Sequence, residues 1–76
     1  MTLQEALEEV REFGHIFVVA MAERGIDTGD SSDLIQGLCG YEVLKMKGES
    51  SILDEAVDIV KQAVYEGVKD KLKEME

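Results

Sequence analysis

His15 and Cys39 are the only histidine and the only cysteine of this 76-residue chain, and such a pair could form a nucleophile with its base. The helical periodicity places His15 about 120° from the centre of the apolar face of the first predicted helix. Cys39 lies between two glycines near an apolar face, where a small buried side chain is the common case. We therefore expect a solvent-facing His15, a buried Cys39 and no catalysis by the two together.

The triplet Asp27-Thr28-Gly29 is a second group that could carry chemistry. Aspartic proteases use this triplet, and in them two aspartates share one proton across a symmetric site. A homodimer could supply the second copy, but such enzymes need a long, strand-rich chain. This triplet instead lies between two helix signals, and its residues are typical of turns. The sequence therefore predicts that Asp27 serves a turn between helices.

A spacing of three separates Asp27, Asp30 and Asp33, which suggests a calcium loop as a further hypothesis. An EF-hand that begins at Asp27 needs ligands at alternate positions and a glutamate at position 12. The sequence has Gly29 at position 3 and Leu38 at position 12. A step of three suits carboxylates at a helix N-terminus better. Because phosphate-binding and dinucleotide-binding glycine patterns are missing too, we expect no metal, no cofactor and no enzymatic activity.

The helix that precedes this loop is predicted over residues 3–24. Thr2 and Glu5 have the spacing of a capping box, and Gly25 provides a helix end. Apolar residues between them recur at spacings of three and four and form one stripe, which comprises Leu3, Leu7, Val10, Phe13, Phe17, Ala20 and Met21. Gly14 interrupts the helix and costs about 1 kcal/mol relative to alanine.

A second helix is predicted over residues 31–47, with a poorer pattern. Gly37 and Gly40 loosen it, and two charged residues fall near its apolar face, which contains Leu34, Ile35, Leu38, Tyr41 and Met46. An extended segment at 41–47 is an alternative. It could pair with a strand at 15–21, which is rich in β-branched residues, to give a small α+β domain.

The third helix, predicted over residues 51–74, has the clearest pattern. Ser51 and Asp54 resemble a second capping box. A broad apolar face follows, with polar residues on the other side; it contains Ile52, Leu53, Ala56, Val57, Ile59, Val60, Ala63, Val64 and Val68. Three helices with short connections predict an all-α three-helix bundle that forms a single small acidic domain over residues 1–76.

The chain has eight basic and 17 acidic residues, which give a net charge of −9. It has no basic stripe that could neutralise phosphates, so a direct grip on nucleic acid is not expected. The longest apolar run, residues 16–22, is far shorter than the roughly 20 residues that cross a bilayer. The N-terminus lacks the basic region of an export signal, and a single thiol suits a reducing compartment. We expect a cytoplasmic protein that does not bind membranes.

The run at 16–22 makes the second half of the first helix apolar on all sides. Phe17 and Ala20 continue the core stripe, whereas Ile16 and Val19 project to the side that carries the glutamates, Glu5, Glu8, Glu9, Glu12 and Glu23. An apolar patch rimmed by charge is typical of a partner-binding surface. The alternative is that the first helix is central and the other two helices enclose the patch.

Small size favours the first hypothesis, because a core of this size supplies only roughly 3–5 kcal/mol and often needs an oligomeric partner. We therefore predict a non-enzymatic interaction module, most simply a homodimer, that pairs through Ile16, Phe17, Val19 and Ala20 with Glu12 and Glu23 at the rim. In this module the third helix either completes the core of each subunit or is shared between subunits. One alternative is an acidic decoy that imitates nucleic-acid charge and binds a basic protein. The other is an enzyme that uses Asp27 or the Cys39–His15 pair.

Overall fold

The computed structural model describes residues 1–49 and 53–75, which form three α-helices. They are α1 (Leu3–Glu23), α2 (Asp33–Met46) and α3 (Leu53–Met75). Residues 1–49 and 53–75 contain no strand, so the all-helical prediction is confirmed and the α+β alternative is wrong. Residues 15–21 lie inside α1 and residues 41–46 inside α2. Their β-branched residues follow the helix because caps and tertiary packing outweigh intrinsic strand preference.

The ends of α1 and α2 are fixed by the cap residues that the sequence provides. At the start of α1, the Glu5 N–H donates to Thr2 Oγ1 at 3.2 Å, and the Thr2 N–H donates to Glu5 Oε1 at 3.0 Å. These two bonds form the predicted capping box, and the bond from Thr2 lowers the pKa of the Glu5 carboxyl. Ser32 caps α2 through its hydroxyl. The predicted box at Ser51 lies outside the described residues.

Two glycines with positive φ end the first two helices in the same way. Gly25 has φ 77° and Gly48 has φ 75°, a conformation that glycine adopts without steric cost. After α1, the N–H of Gly25 donates to Ala22 O, and the N–H of Ile26 donates to Met21 O at 2.9 Å. This pair of bonds is a Schellman motif. The same two bonds follow α2, so each connection begins with its helix carbonyls satisfied.

The backbones of α1 and α2 come into contact where Gly14 faces Gly37. A Cβ on Gly14 would overlap the carbonyl oxygen of Asp33 and lie 2.8 Å from Gly37 N. A Cβ on Gly37 would overlap the carbonyl oxygen of Val10. Gly40 completes this crossing, because its Cβ would lie 2.8 Å from the Phe13 ring. The glycines that appeared to weaken both helices are therefore the residues that let them pack.

The core lies between this crossing and the first turns of α3. Its buried members come from all three helices, namely Ala6, Val10, Tyr41, Leu53, Ala56, Val57 and Val60. The buried line of α1 thus runs through Ala6, Val10 and Gly14, rotated from the predicted stripe. Leu3, predicted to be in that stripe, is 44% exposed. The rotation follows from the glycine crossing, which turns the smallest residues of α1 toward α2.

A polar cluster joins α2 to α3 beside this core. The buried Tyr41 donates its hydroxyl to Asp54 Oδ1 at 2.8 Å, and Lys45 Nζ lies 3.4 Å from the same oxygen. Lys61 pairs with Glu42 at 3.0 Å. The hydrogen bond to Asp54 raises the pKa of Tyr41 and also raises the pKa of Lys45. Glu42 and Lys45, the two charged residues near the predicted apolar face of α2, therefore pair with residues of α3.

Only the first half of α3 packs on the other helices. Its buried residues end at Val60, and every residue from 64 to 75 is exposed. We call residues 64–75 the α3 extension. At a rise of 1.5 Å per residue it is roughly 17 Å long. None of the helices, over the part of the chain described, has the length and apolarity needed to cross a membrane.

Candidate interaction surface

The Asp27 carboxylate has a structural partner in the loop between α1 and α2. Its Oδ1 accepts a hydrogen bond of 2.8 Å from the Gly29 N–H, and Gly29 has φ 83°. The buried Gln36 of α2 ties down the same loop, because its amide donates to Thr28 O at 2.8 Å. Asp27 therefore lies in a turn between helices, as the sequence predicts.

The two residues proposed as a nucleophile and base, His15 and Cys39, are both exposed. The exposure of His15 is as predicted, but the prediction of a buried Cys39 is wrong. Gly37 and Gly40 face α1, so Cys39 between them is directed to the outer side of α2. Packing within the single chain therefore does not require a small side chain at Cys39.

The three aspartates between the end of α1 and the first turn of α2 are not arranged as a metal centre. Asp27, Asp30 and Asp33 are all exposed, and Asp33 lies in the first turn of α2, where its charge suits the helix dipole. Across residues 1–49 and 53–75, no three histidine, cysteine or acidic side chains come together as a metal site.

Two of the predicted interaction residues, Ile16 and Val19, lie on the outer side of α1. Ile16 is 57% exposed and Val19 is 43% exposed, so the alternative in which α2 and α3 enclose them is wrong. Phe17 and Ala20 are half-buried, and Phe17 contacts the Gly40 position of α2. We call these four residues the α1 patch. Glu12 and Glu23, both exposed, lie at its two ends.

A shallow groove of about 240 Å³ runs beside the α1 patch. Phe13, Ile16 and Leu53 form its apolar lining, and Glu9 and Glu12 contribute carboxylates. The groove lies between α1 and the first residue of α3. It offers an apolar strip with negative charge along it, which could receive an apolar helix face edged by cations.

Two further apolar surfaces lie outside the α1 patch. One is the outer side of α2, which exposes Ile35, Cys39, Val43 and Met46. The other is the α3 extension, which exposes Val64, Tyr65, Val68, Leu72 and Met75. Spacings of three and four mark both stripes in the sequence. Nothing in the pattern says whether such a stripe faces a core or water, because that depends on where the neighbouring helices end.

Comparison with known proteins finds no matching family model, no matching curated protein and no matching solved structure.

Proposed function

We propose that this protein is a non-enzymatic interaction module of the cytoplasm that forms a homodimer through the α1 patch. The proposal rests on the exposure of Ile16 and Val19, whose apolar side chains are left 57% and 43% exposed by the described part of the chain. The exposed Cys39 thiol suits a reducing compartment. The loop residue Asp27 is engaged in a turn, which supports a role in binding over one in catalysis.

The single chain leaves more large apolar side chains exposed than it buries. Among the described residues, seven apolar residues form the core, whereas thirteen large ones are 43 to 85% exposed. Scattered exposed apolar residues are ordinary, but those on α1 and α3 follow one another along a helix face. Full burial of a large apolar side chain contributes roughly 1.5–3 kcal/mol, and covering one that is half exposed contributes about half of this. A second subunit would therefore add substantially to the small core of one chain.

The rim of the α1 patch suits contact with a second protein. Glu12 and Glu23 lie at its ends and are exposed, so they can stay hydrated while the apolar centre is covered. The net charge of −9 opposes association of two copies. An apolar centre with hydrated carboxylates at its edge reduces that penalty, because the charges are not buried.

The test is the substitution Ile16→Glu, with mass measured by sedimentation and folding measured by circular dichroism. A carboxylate in the centre of the contact would be buried without a partner, so we expect a helical monomer. Arg11→Gln changes the charge by the same amount on another side of α1 and should leave the dimer intact. A wild-type protein that sediments as a monomer at all concentrations would contradict the proposal.

A second candidate function is an acidic decoy that occupies the nucleic-acid site of a basic protein. It is favoured by the outer side of α1, where Glu5, Glu9 and Glu12 are exposed in a row. The test is a pull-down from native cell extract with this protein as the bait, in the presence and absence of added duplex DNA. A decoy should retain a basic protein that the DNA displaces. Capture that the DNA does not affect would count against this function.

A further inference from the structure

We infer that the α3 extension of one copy docks on the α1 patch and groove of a second copy, and that the second copy returns the same contact. This inference rests on the proposed self-association and specifies its geometry. In this dimer the α3 extension of each copy covers the α1 patch of the other copy, so the same contact occurs twice. Such a reciprocal arrangement closes as a two-fold dimer and leaves neither surface open.

The distribution of charge indicates that the α3 extension is the segment that docks on the α1 patch and groove. Residues 64–75 contain three of the six lysines and an equal number of carboxylates, so the rest of the chain carries the whole net charge of −9. The α3 extension is thus an apolar helix in an electrically balanced segment, beside a strongly acidic body. The outer stripe of α2 has fewer cations beside it, because Lys45 is paired with Asp54 and Lys47 is the one other lysine at this end of α2. The carboxylate of Glu42 also adjoins Val43 there.

The lysines of the α3 extension flank its apolar stripe. At about 100° per residue, Val64, Val68 and Leu72 fall within one narrow sector. Lys71 lies on one side of this sector and Lys69 on the other, while the carboxylates occupy the opposite side of the helix, at Glu66, Asp70 and Glu74. Lys71 pairs with Glu74 at 3.2 Å in the single chain. An exposed pair of this kind contributes little, so Lys71 can exchange it for a carboxylate of a partner.

The receiving surface on α1 has the complementary pattern. Its apolar side chains, Ile16 and Val19, are bracketed by Glu12 and Glu23, and Glu9 extends the acidic rim along the groove. Glu12 to Glu23 spans the same number of residues as Val64 to Met75, so both surfaces are roughly 17 Å long. An apolar stripe flanked by lysines therefore meets one bracketed by glutamates, over matching lengths.

The α3 extension also needs a partner for its own stability. An isolated helix of fewer than about 12–15 residues is marginal in water, and every residue from 64 to 75 is exposed in the single chain. The first half of α3 is held by the core and supplies the helix nucleus. Docking on α1 of a second copy would supply the tertiary packing that the extension lacks.

The first test is Leu72→Glu, with Lys73→Gln as the control for an equal change of charge on the polar side of α3. Leu72 is 57% exposed, so the substitution leaves the folded single chain intact. Each dimer contains the contact twice. A loss of about tenfold per contact therefore becomes about a hundredfold in the dimer dissociation constant, measured by sedimentation. The control should dimerise like the wild type.

The second test uses the wild-type chain, as an equal mixture of ¹⁴N-labelled and ¹⁵N-labelled protein. A carbodiimide joins lysines to carboxylates that touch, and mass spectrometry of mixed-isotope peptides identifies links between subunits. We expect links from Lys69 or Lys71 to Glu9, Glu12 or Glu23. If Leu72→Glu dimerises normally, or if links between subunits never join α3 to α1, the inference is overturned while self-association stands. If the wild type is monomeric, both proposals fail.

Discussion

Replacement of Gly14 by alanine tests the backbone contact between α1 and α2. A Cβ at this position would overlap the Asp33 carbonyl oxygen and lie 2.8 Å from Gly37 N. Both neighbours are backbone atoms of α2, so no side chain can move aside. The helices would have to separate by on the order of an ångström to restore ordinary carbon–oxygen contact, and such a separation would loosen the packing of the fully buried Val10.

The expected size of this effect follows from two opposing terms. Alanine in place of glycine favours a helix by about 1 kcal/mol, whereas overpacking that displaces backbone costs about 3 kcal/mol, at the upper end of its usual range. The net loss is about 2 kcal/mol, or roughly half of what a core of this size supplies. The melting temperature should fall by roughly 8–16 °C.

Thermal unfolding followed by circular dichroism, at one fixed protein concentration, measures this change. The matched control is Gly67→Ala in the α3 extension, where an added Cβ meets nothing within 4 Å. This control gains the same helix preference without the clash, so its helix content should rise and its melting temperature should not fall. A Gly14→Ala protein as stable as the wild type would show that α1 and α2 do not cross through backbone contact.

Two other predictions concern pH and the α3 extension. The pKa values of Tyr41 and Lys45 are raised in the folded protein, so their contribution to stability is complete below about pH 10 and is lost as the pH rises through the raised values. The melting temperature should therefore fall at alkaline pH, and by less in Asp54→Asn, which removes the charge that both groups share. An equal alkaline loss in both proteins would contradict this assignment. The docked α3 extension should also protect its amides, so residues 64–75 should exchange hydrogen slowly in the wild-type dimer and rapidly in Leu72→Glu. Equal exchange in the two proteins would show that the extension is not covered.

The sequence predicts the described helix bounds within two residues because their signals are local. Thr2 and Glu5 form a capping box from side chains three residues apart, and Gly25 ends α1 with a positive φ. Such features depend only on neighbours in the chain. The exposure of His15 also follows from helical periodicity, because His15 lies well away from the apolar stripe of α1.

The parts that the sequence could not supply depend on contacts between distant residues. Gly14 and Gly37 each look like a defect in their own helix, and only their meeting turns them into a packing site. The same meeting directs Cys39 outward, against the prediction of burial. Val64 and Leu72 continue the apolar face of α3 in the sequence, but the body of the protein ends before they do. The sequence predicts the candidate surface on α1, but it leaves open whether α3 completes the core or is shared between subunits.

The glycine crossing also limits how this protein can diverge. Where two helix backbones touch, hydrogen is the only substituent that fits, so Gly14 and Gly37 tolerate no replacement that keeps the crossing. Gly40 is constrained next, because its neighbours are the rings of Phe13 and Phe17. The outer faces can change much more freely. Distant homologues should therefore share a glycine in the first helix and a pair three residues apart in the second, even after the rest of the sequence has lost its resemblance.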